Sequence, residues 1–212
     1  MKHYSRRNII IGAGFIVLAP GILLSAPTRR GKQYALIHDQ SKCVGCKECV
    51  NACNQINQVA PGCARLAIIP LPSTTSQSED KPRYFRHSCQ HCDPAPCLDV
   101  CPSGATYRDQ HGLIQIDAQR CLGCGYCISA CPYQARYLHP TRHIADKCDF
   151  CSATRLSHGQ VPICVRICPY HALSFGELDT PSFKLKLALA PYYQYHLAGT
   201  RHSRIYRILA DD

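Results

Sequence analysis

The spacing of its cysteines constrains this chain more than any other feature of the sequence. Sixteen of the 17 cysteines among its 212 residues fall into four groups, and only Cys63 lies outside them. The groups are Cys43-x2-Cys46-x2-Cys49-x3-Cys53, Cys89-x2-Cys92-x4-Cys97-x3-Cys101, Cys121-x2-Cys124-x2-Cys127-x3-Cys131 and Cys148-x2-Cys151-x12-Cys164-x3-Cys168. Proline follows the last cysteine of every group except the first, where Asn54 takes its place. Such a repeat indicates that the fold uses one unit several times.

The third group, CLGCGYCISACP, has the spacing C-x2-C-x2-C-x3-C-P that is typical of bacterial ferredoxins. Three closely spaced thiolates on a tight loop bind three irons of one [4Fe–4S] cube, and the fourth binds the other cluster of a pair. Gly45, Gly123 and Gly125 give these loops the conformational freedom to curl around a cluster. The four groups therefore predict four [4Fe–4S] clusters.

Two other uses of clustered cysteines fit this spacing less well. Disulfides are common in exported proteins, but cysteines so close together seldom pair, and a disulfide scaffold has no need to repeat one spacing. Zinc ribbons use C-x2-C pairs, yet a zinc site takes two such pairs rather than this run of cysteines. The sequence also lacks the C-x-x-C-H of c-type haem. Cys63 is expected to be a free residue in a loop.

The formal net charge of +10 suggests at first a protein that binds nucleic acid. Ligating cysteines are deprotonated, however, so a [4Fe–4S]2+ cluster with four thiolates carries about −2. Four clusters would lower the net charge to about +2, so the basic excess then offsets the cofactors. The alternative from a different class, a zinc-ribbon protein that binds nucleic acid, is therefore disfavoured.

Residues 1–30 predict an export signal of the twin-arginine type. Arg6 and Arg7 precede an apolar run from Ile9 to Leu24, and this order of arginines and apolar residues is typical of such signals. The alternative is a membrane anchor, for which the run is slightly short and is interrupted by Pro20. The twin-arginine route carries folded proteins, which suits a protein whose clusters are built in the cytoplasm. The segment therefore predicts a periplasmic protein.

Short strands and helices are expected around each cysteine group, which predicts an α+β fold. The patterns favour strands at residues 34–39, 65–71 and 172–178, and hairpins at residues 105–117 and 135–147. A short helix should begin near the third cysteine of each group. Residues 72–82 predict a linker or surface loop. The tail from Pro181 suggests a strand-rich flap on the body of the protein or on a partner; the favoured alternative is ordinary packing by Tyr192, Tyr193 and Tyr195.

The four groups together resemble a known family. The segments SRRNIIIG, YALIHDQSKCVGCKECVNAC, YFRHSCQHCDPAPCLDVCPSGATYRD and ADKCDFC carry the resemblance. They are similar to the four-cluster iron–sulfur electron-transfer subunits of dimethyl-sulfoxide-reductase-type respiratory complexes. Within these, they most resemble the exported ferredoxin-type protein of formate-dependent nitrite reduction. The resemblance covers the chain from Ser5 to about Leu209.

The resemblance implies two interleaved bacterial-type ferredoxin domains, each with two clusters. Residues 31–82 and 140–180 would form the first domain, residues 83–139 an inserted second domain, and residues 181–212 a C-terminal tail. The ligand sets that it implies are Cys43, Cys46, Cys49 and Cys168 (set one); Cys148, Cys151, Cys164 and Cys53 (set two); Cys89, Cys92, Cys97 and Cys131 (set three); and Cys121, Cys124, Cys127 and Cys101 (set four).

The resemblance also implies an electron carrier without catalytic residues or a substrate of its own. Electrons would pass from a membrane-integral quinol-oxidising subunit to a periplasmic terminal reductase, either a multihaem cytochrome or a molybdopterin subunit. The sequence shows no dinucleotide fingerprint, because the GAG at Gly12–Gly14 follows no predicted strand. The alternative within the family is the electron-transfer subunit of a molybdopterin sulfur-oxyanion or polysulfide reductase.

Two details of the cysteine groups bear on the type and the reduction potential of the clusters. Some relatives replace the second cysteine of the third group and hold a [3Fe–4S] cluster, whereas this chain keeps Cys124. In the family, this third-group cluster is the one nearest the membrane partner. Lys42, Arg120 and Lys147 each precede the first cysteine of a group. Such a cation would raise the potential of the adjacent cluster; the alternative is an ordinary solvated surface charge.

Overall fold

The structure is a computed structural model that describes residues 31–72, 82–197 and 199–209. The predicted export signal at residues 1–30 lies outside the described residues, as does most of the predicted linker, residues 73–81.

The described part of the chain has a mixed α/β fold built from short elements. Its strands are β1 (Tyr34–Asp39), β2 (Leu66–Pro70), β3 (Tyr84–Ser88), β4 (Thr106–Arg108), β5 (Ile114–Ile116), β6 (Tyr137–Leu138), β7 (Ala145–Asp146), β8 (Leu173–Glu177), β9 (Tyr192–Tyr193) and β10 (Ile205–Ile208). Its α-helices are α1 (Glu48–Ile56), α2 (Pro96–Asp99), α3 (Tyr126–Ser129), α4 (Ile163–Ile167) and α5 (Pro181–Ala188).

Helices α1 to α4 each begin one residue before the third cysteine of a group, as predicted. The loop geometry explains why. Lys47 and Gly125, which precede α1 and α3, adopt left-handed backbone conformations that turn the chain sharply before the helix. Pro96 occupies the first position of α2, where proline costs the helix no hydrogen bond.

A four-stranded sheet with the order β8-β1-β10-β9 forms the largest layer. β1 pairs antiparallel with β8 and parallel with β10. Leu36 and Ile205, which are opposite each other in the parallel pair, are fully buried and belong to the same apolar core as Phe150. The antiparallel pairs β4–β5 and β6–β7 confirm the two predicted hairpins.

The C-terminal tail is only partly the strand-rich flap that its sequence suggests. It contributes the helix α5, and its strand β10 lies inside the sheet between β1 and β9 rather than on its surface. Alternate residues of β10 explain this position, because Ile205 and Arg207 are buried. Tyr195 packs as expected, with its ring edge-on to the rings of Phe85 and Tyr133.

Two helix pairs determine which cysteine groups meet. α1 lies against α4, so the first group faces the fourth, and α2 lies against α3, so the second group faces the third. Cysteines are part of the apolar core in both regions. None of the helices in the described residues is long and apolar enough to cross a membrane.

Candidate metal centres

Two cavities are each lined by four cysteines. Cys43, Cys46, Cys49 and Cys168 line the first cavity, together with His38 at the end of β1. Cys121, Cys124, Cys127 and Cys101 line the second, beside the hairpin β4–β5. In both cavities the second cysteine of the group, Cys46 or Cys124, is exposed to solvent.

The other eight grouped cysteines gather in two more enclosed sets. The thiol of Cys53 has Cys148, Cys164 and Cys151 as electrostatic neighbours. The thiol of Cys92 has Cys89, Cys97 and Cys131 as neighbours. The structure thus brings the cysteines together in the same fours that the resemblance implies, while ligation by these sets stays a prediction. Cys63 is a free thiol after the turn at Gly62.

Burial makes several of the enclosed thiols hard to ionise. It raises the pKa of Cys49 to about 11 and the pKa values of Cys92 and Cys164 to about 12. At neutral pH these three thiols would therefore be protonated in the absence of a cluster. Binding of iron would release these protons, since metals bind the thiolate, and would supply positive charge that offsets four buried anions.

Comparison with known proteins also indicates iron–sulfur binding. Residues 81–178 match the model described as a 4Fe-4S dicluster domain. The chain is 46% identical over 208 residues to the ferredoxin-like protein YdhX of Escherichia coli, covering 96% of this chain and 94% of the relative. It is 42% identical over 212 residues to the protein NrfC of Escherichia coli, covering 97% and 95%. It is 43% identical over 176 residues to the thiosulfate reductase electron transfer subunit PhsB of Salmonella typhi, covering 82% and 92%.

The chain belongs to the ferredoxin-like electron-transfer subunits of reductase complexes. It binds [4Fe–4S] clusters, transfers electrons and leaves catalysis to another subunit of the complex. The dicluster match includes the second, third and fourth cysteine groups and ends before the C-terminal helix α5.

Unpartnered buried polar atoms show that the cysteine sets fit such a cofactor. Nε of Arg86, Nε and one terminal nitrogen of Arg207, and both ring nitrogens of His38 are buried without a hydrogen-bond partner. Among the described residues neither arginine forms an ion pair with a carboxylate. Burying an uncompensated charge is costly. Arg86 lies 3.9 Å from the sulfur of Cys148, and His38 lines the cavity of Cys43, Cys46, Cys49 and Cys168. An anionic iron–sulfur cluster held by these cysteines would supply the negative charge that Arg86 lacks.

The cysteine sets do not have the compact geometry of a mononuclear site. Among the described residues, no three Cys, His, Asp or Glu side chains come close enough to share a single metal ion. Zinc would require four ligands at about 2.0–2.3 Å from one point. The wider spacing suits a cubane, whose four irons each take one thiolate.

Hydrogen-bond donors surround the cysteine sulfurs. The backbone N–H groups of Thr106 and Ala145 lie 3.4 Å from the sulfurs of Cys101 and Cys121, respectively. The side-chain amide of Asn57 lies 3.5 Å from the sulfur of Cys53 and 3.6 Å from that of Cys151. Donors of this kind stabilise negative charge on a cluster and so raise its reduction potential. Neither the residue type of Asn57 nor its spacing from the cysteines distinguishes it in the sequence.

The three cations that precede cysteine groups differ in their surroundings. Lys42 is exposed and pairs with Asp39 at 3.0 Å. Arg120 is exposed and donates to the carbonyl oxygen of Ser103 at 2.8 Å. Lys42 and Arg120 are therefore ordinary solvated surface charges. Lys147 is only 2% exposed, and its ammonium donates to the carbonyl oxygens of Ile114 and Cys148.

Proposed function

We propose that this protein holds four [4Fe–4S] clusters and conducts electrons from a membrane quinol-oxidising subunit to a periplasmic reductase. The observation that carries the proposal is the gathering of 16 cysteines into four sets of four. Sets one and two would belong to one ferredoxin domain, and sets three and four to a second domain inserted in it. Each cluster carries one electron at a time, so no bond to a substrate needs to form.

The protein residues hold the clusters and control access to them. Sets one and four are the terminal sites in this proposal, because each has an exposed cysteine. Exposed apolar side chains surround these cysteines: Val44 and Tyr170 at set one, and Leu122 and Tyr126 at set four. Contiguous exposed apolar side chains typically mark protein interaction sites. We assign set four to the membrane subunit and set one to the reductase.

The two middle sets lie on either side of a buried aromatic contact. His91, between the first two cysteines of the second group, packs on Phe150, between the first two cysteines of the fourth, with ring centroids 4.3 Å apart. Both side chains are fully buried. The contact joins the ligand loops of sets two and three, which supports an electron path in the order four, three, two, one.

The proposed respiratory pathway and the proposed periplasmic location are argued from the sequence. The arginine pair Arg6-Arg7 supports export by the twin-arginine route. The cysteine-group segments favour a nitrite-reduction complex. The thiosulfate reductase subunit PhsB is about as similar as NrfC, at 43% against 42% identity. This similarity supports the second candidate, a molybdopterin sulfur-oxyanion or polysulfide reductase.

Anaerobic purification of the full chain tests the proposal. Four clusters require about 16 Fe and 16 acid-labile sulfides per chain, at four of each per cluster. Colourless protein that contains zinc would overturn it. Cys124→Ser should alter one cluster and slow reduction by quinol in membranes that contain the partner subunit, whereas Cys63→Ser, outside every set, should change neither. Unchanged electron transfer in Cys124→Ser would refute the assignment of set four to the membrane side.

A further inference from the structure

Two buried arginines lie against cysteine sulfurs in different parts of the fold. Arg86, on β3, is fully buried, with a terminal nitrogen 3.9 Å from the sulfur of Cys148. Arg136, just before β6, is 5% exposed and donates to the sulfur of Cys97 at 3.0 Å. Neither directly precedes or follows a cysteine in the sequence.

Each arginine acts on both sets of one helix pair. The cysteines that interact most strongly with Arg86 are Cys164 and Cys148 of set two, followed by Cys49 of set one. Those that interact with Arg136 are Cys97, Cys89 and Cys131 of set three, together with Cys127 of set four. One guanidinium therefore lies near the junction of sets one and two, and another near the junction of sets three and four.

The surrounding residues hold both side chains without neutralising them. Arg86 donates to the hydroxyl of Ser88, and Arg136 donates to the hydroxyl of Thr106 at 3.3 Å. Within the described residues neither guanidinium is paired with a carboxylate. The guanidinium group stays protonated in proteins, so each position carries a constant positive charge. In a buried, weakly polarisable environment such a charge acts over a longer range than at the surface.

We propose that Arg86 and Arg136 set the reduction potentials of the two cluster pairs independently, each raising both potentials within its own pair. Reduction adds one negative charge to a cluster, and a nearby fixed cation stabilises that charge. Because each arginine interacts with cysteines of two sets, it raises both potentials of the pair, so the pair accepts electrons more readily while transfer between its two clusters stays possible. The inference rests on the ligand sets proposed above.

Potentiometric titration of the holo-protein, followed by electron paramagnetic resonance, tests this role. Arg86→Gln should lower two of the four midpoints, and Arg136→Gln should lower the other two. We expect at least a tenfold change in each reduction equilibrium, equivalent to 59 mV for one electron. Arg86→Lys and Arg136→Lys keep the charge and should restore most of the shift. Lys42→Gln and Arg120→Gln are matched controls, since they remove an exposed charge adjacent to a ligand cysteine and should leave every midpoint unchanged.

Iron and sulfide analysis separates this inference from the proposed function. Wild-type protein with fewer than four clusters refutes the ligand sets, whereas four clusters with unmoved midpoints in Arg86→Gln refute only the role of the arginine. A shift of all four midpoints, or an equal shift in Arg120→Gln, would also overturn it. If Arg86→Gln assembles fewer clusters, its midpoints cannot be compared, and Arg86→Lys then separates the effect of the charge from that of packing. Wild-type midpoints in the Lys variant support the charge, and loss of the same clusters shows that the guanidinium acts only through packing.

Discussion

Two glycines of the third cysteine group have the same backbone conformation but different surroundings, and alanine at each position separates strain from steric conflict. Gly123 has φ = 68° and Gly125 has φ = 77°, both in the left-handed region. A Cβ at Gly123 would collide with the carbonyl oxygen of His143, whereas a Cβ at Gly125 would meet no atom within 4 Å. Gly125→Ala therefore measures backbone strain alone.

The two substitutions should differ in size. A non-glycine residue in the left-handed region costs roughly 1–2 kcal/mol, and this is the whole expected effect of Gly125→Ala. Gly123→Ala adds a clash with backbone of the loop between β6 and β7, which has to shift. Overpacking of this kind costs about 1–3 kcal/mol more. The expected total for Gly123→Ala is therefore about 2–5 kcal/mol, and the displaced loop lies beside the cysteines of set four.

Thermal unfolding of the anaerobic holo-protein, followed by the visible absorbance of its clusters, measures the difference. About 1 kcal/mol corresponds to roughly 2–4 °C in a protein of this size. Gly123→Ala should thus melt at least about 2 °C below Gly125→Ala and lose iron from one cluster first. Equal melting temperatures for the two variants would refute the close approach of the β6–β7 loop to the third group.

Three further substitutions test individual contacts. Lys147→Met removes a buried ammonium from two carbonyl oxygens and should lower the free energy of unfolding by about 1–3 kcal/mol. The control Lys42→Met, at an exposed position, should lower it by less than about 0.5 kcal/mol. Equal melting temperatures for the two variants would contradict this. Tyr133→Phe removes a hydroxyl that donates to the carbonyl oxygen of Tyr195 in the C-terminal segment and should therefore speed proteolysis of that segment; an unchanged cleavage rate would contradict this. Asn57→Leu removes an amide from two sulfurs of set two, so one midpoint should fall in a potentiometric titration while three stay fixed.

Local elements of this fold follow directly from the sequence. The segment at residues 34–39 forms β1 with the predicted bounds, and helices α1 to α4 begin one residue before the third cysteine of each group. These elements depend on neighbours a few residues away. A left-handed residue turns the chain before α1 and α3, and the third cysteine of each group is buried. Spacing within the cysteine groups is therefore a strong predictor of local structure.

Long-range placement could not be predicted in the same way. The pattern of residues 205–208 indicates a strand, but nothing local specifies that it pairs in parallel with β1, some 170 residues earlier. Arg86 presents a similar difficulty. Within YFRHS it is flanked by polar and aromatic residues, and arginine usually lies at the surface. The structure buries it beside the cysteines, whereas Lys42 and Arg120, adjacent to cysteines in the sequence, lie at the surface.

The burial of some cations and the exposure of others change how the positive net charge is interpreted. The formal charge of +10 counts surface and interior cations alike, and a nucleic-acid-binding protein would place the excess on an exposed patch. Here Arg86, Arg136, Lys147 and Arg207 are at most 5% exposed, and two of them lie against cysteine sulfurs. These buried cations would therefore meet part of the roughly eight negative charges that four clusters carry. Removing the clusters should therefore leave repelling cations in the core, so the folding of the chain and the binding of its cofactors are expected to be one process.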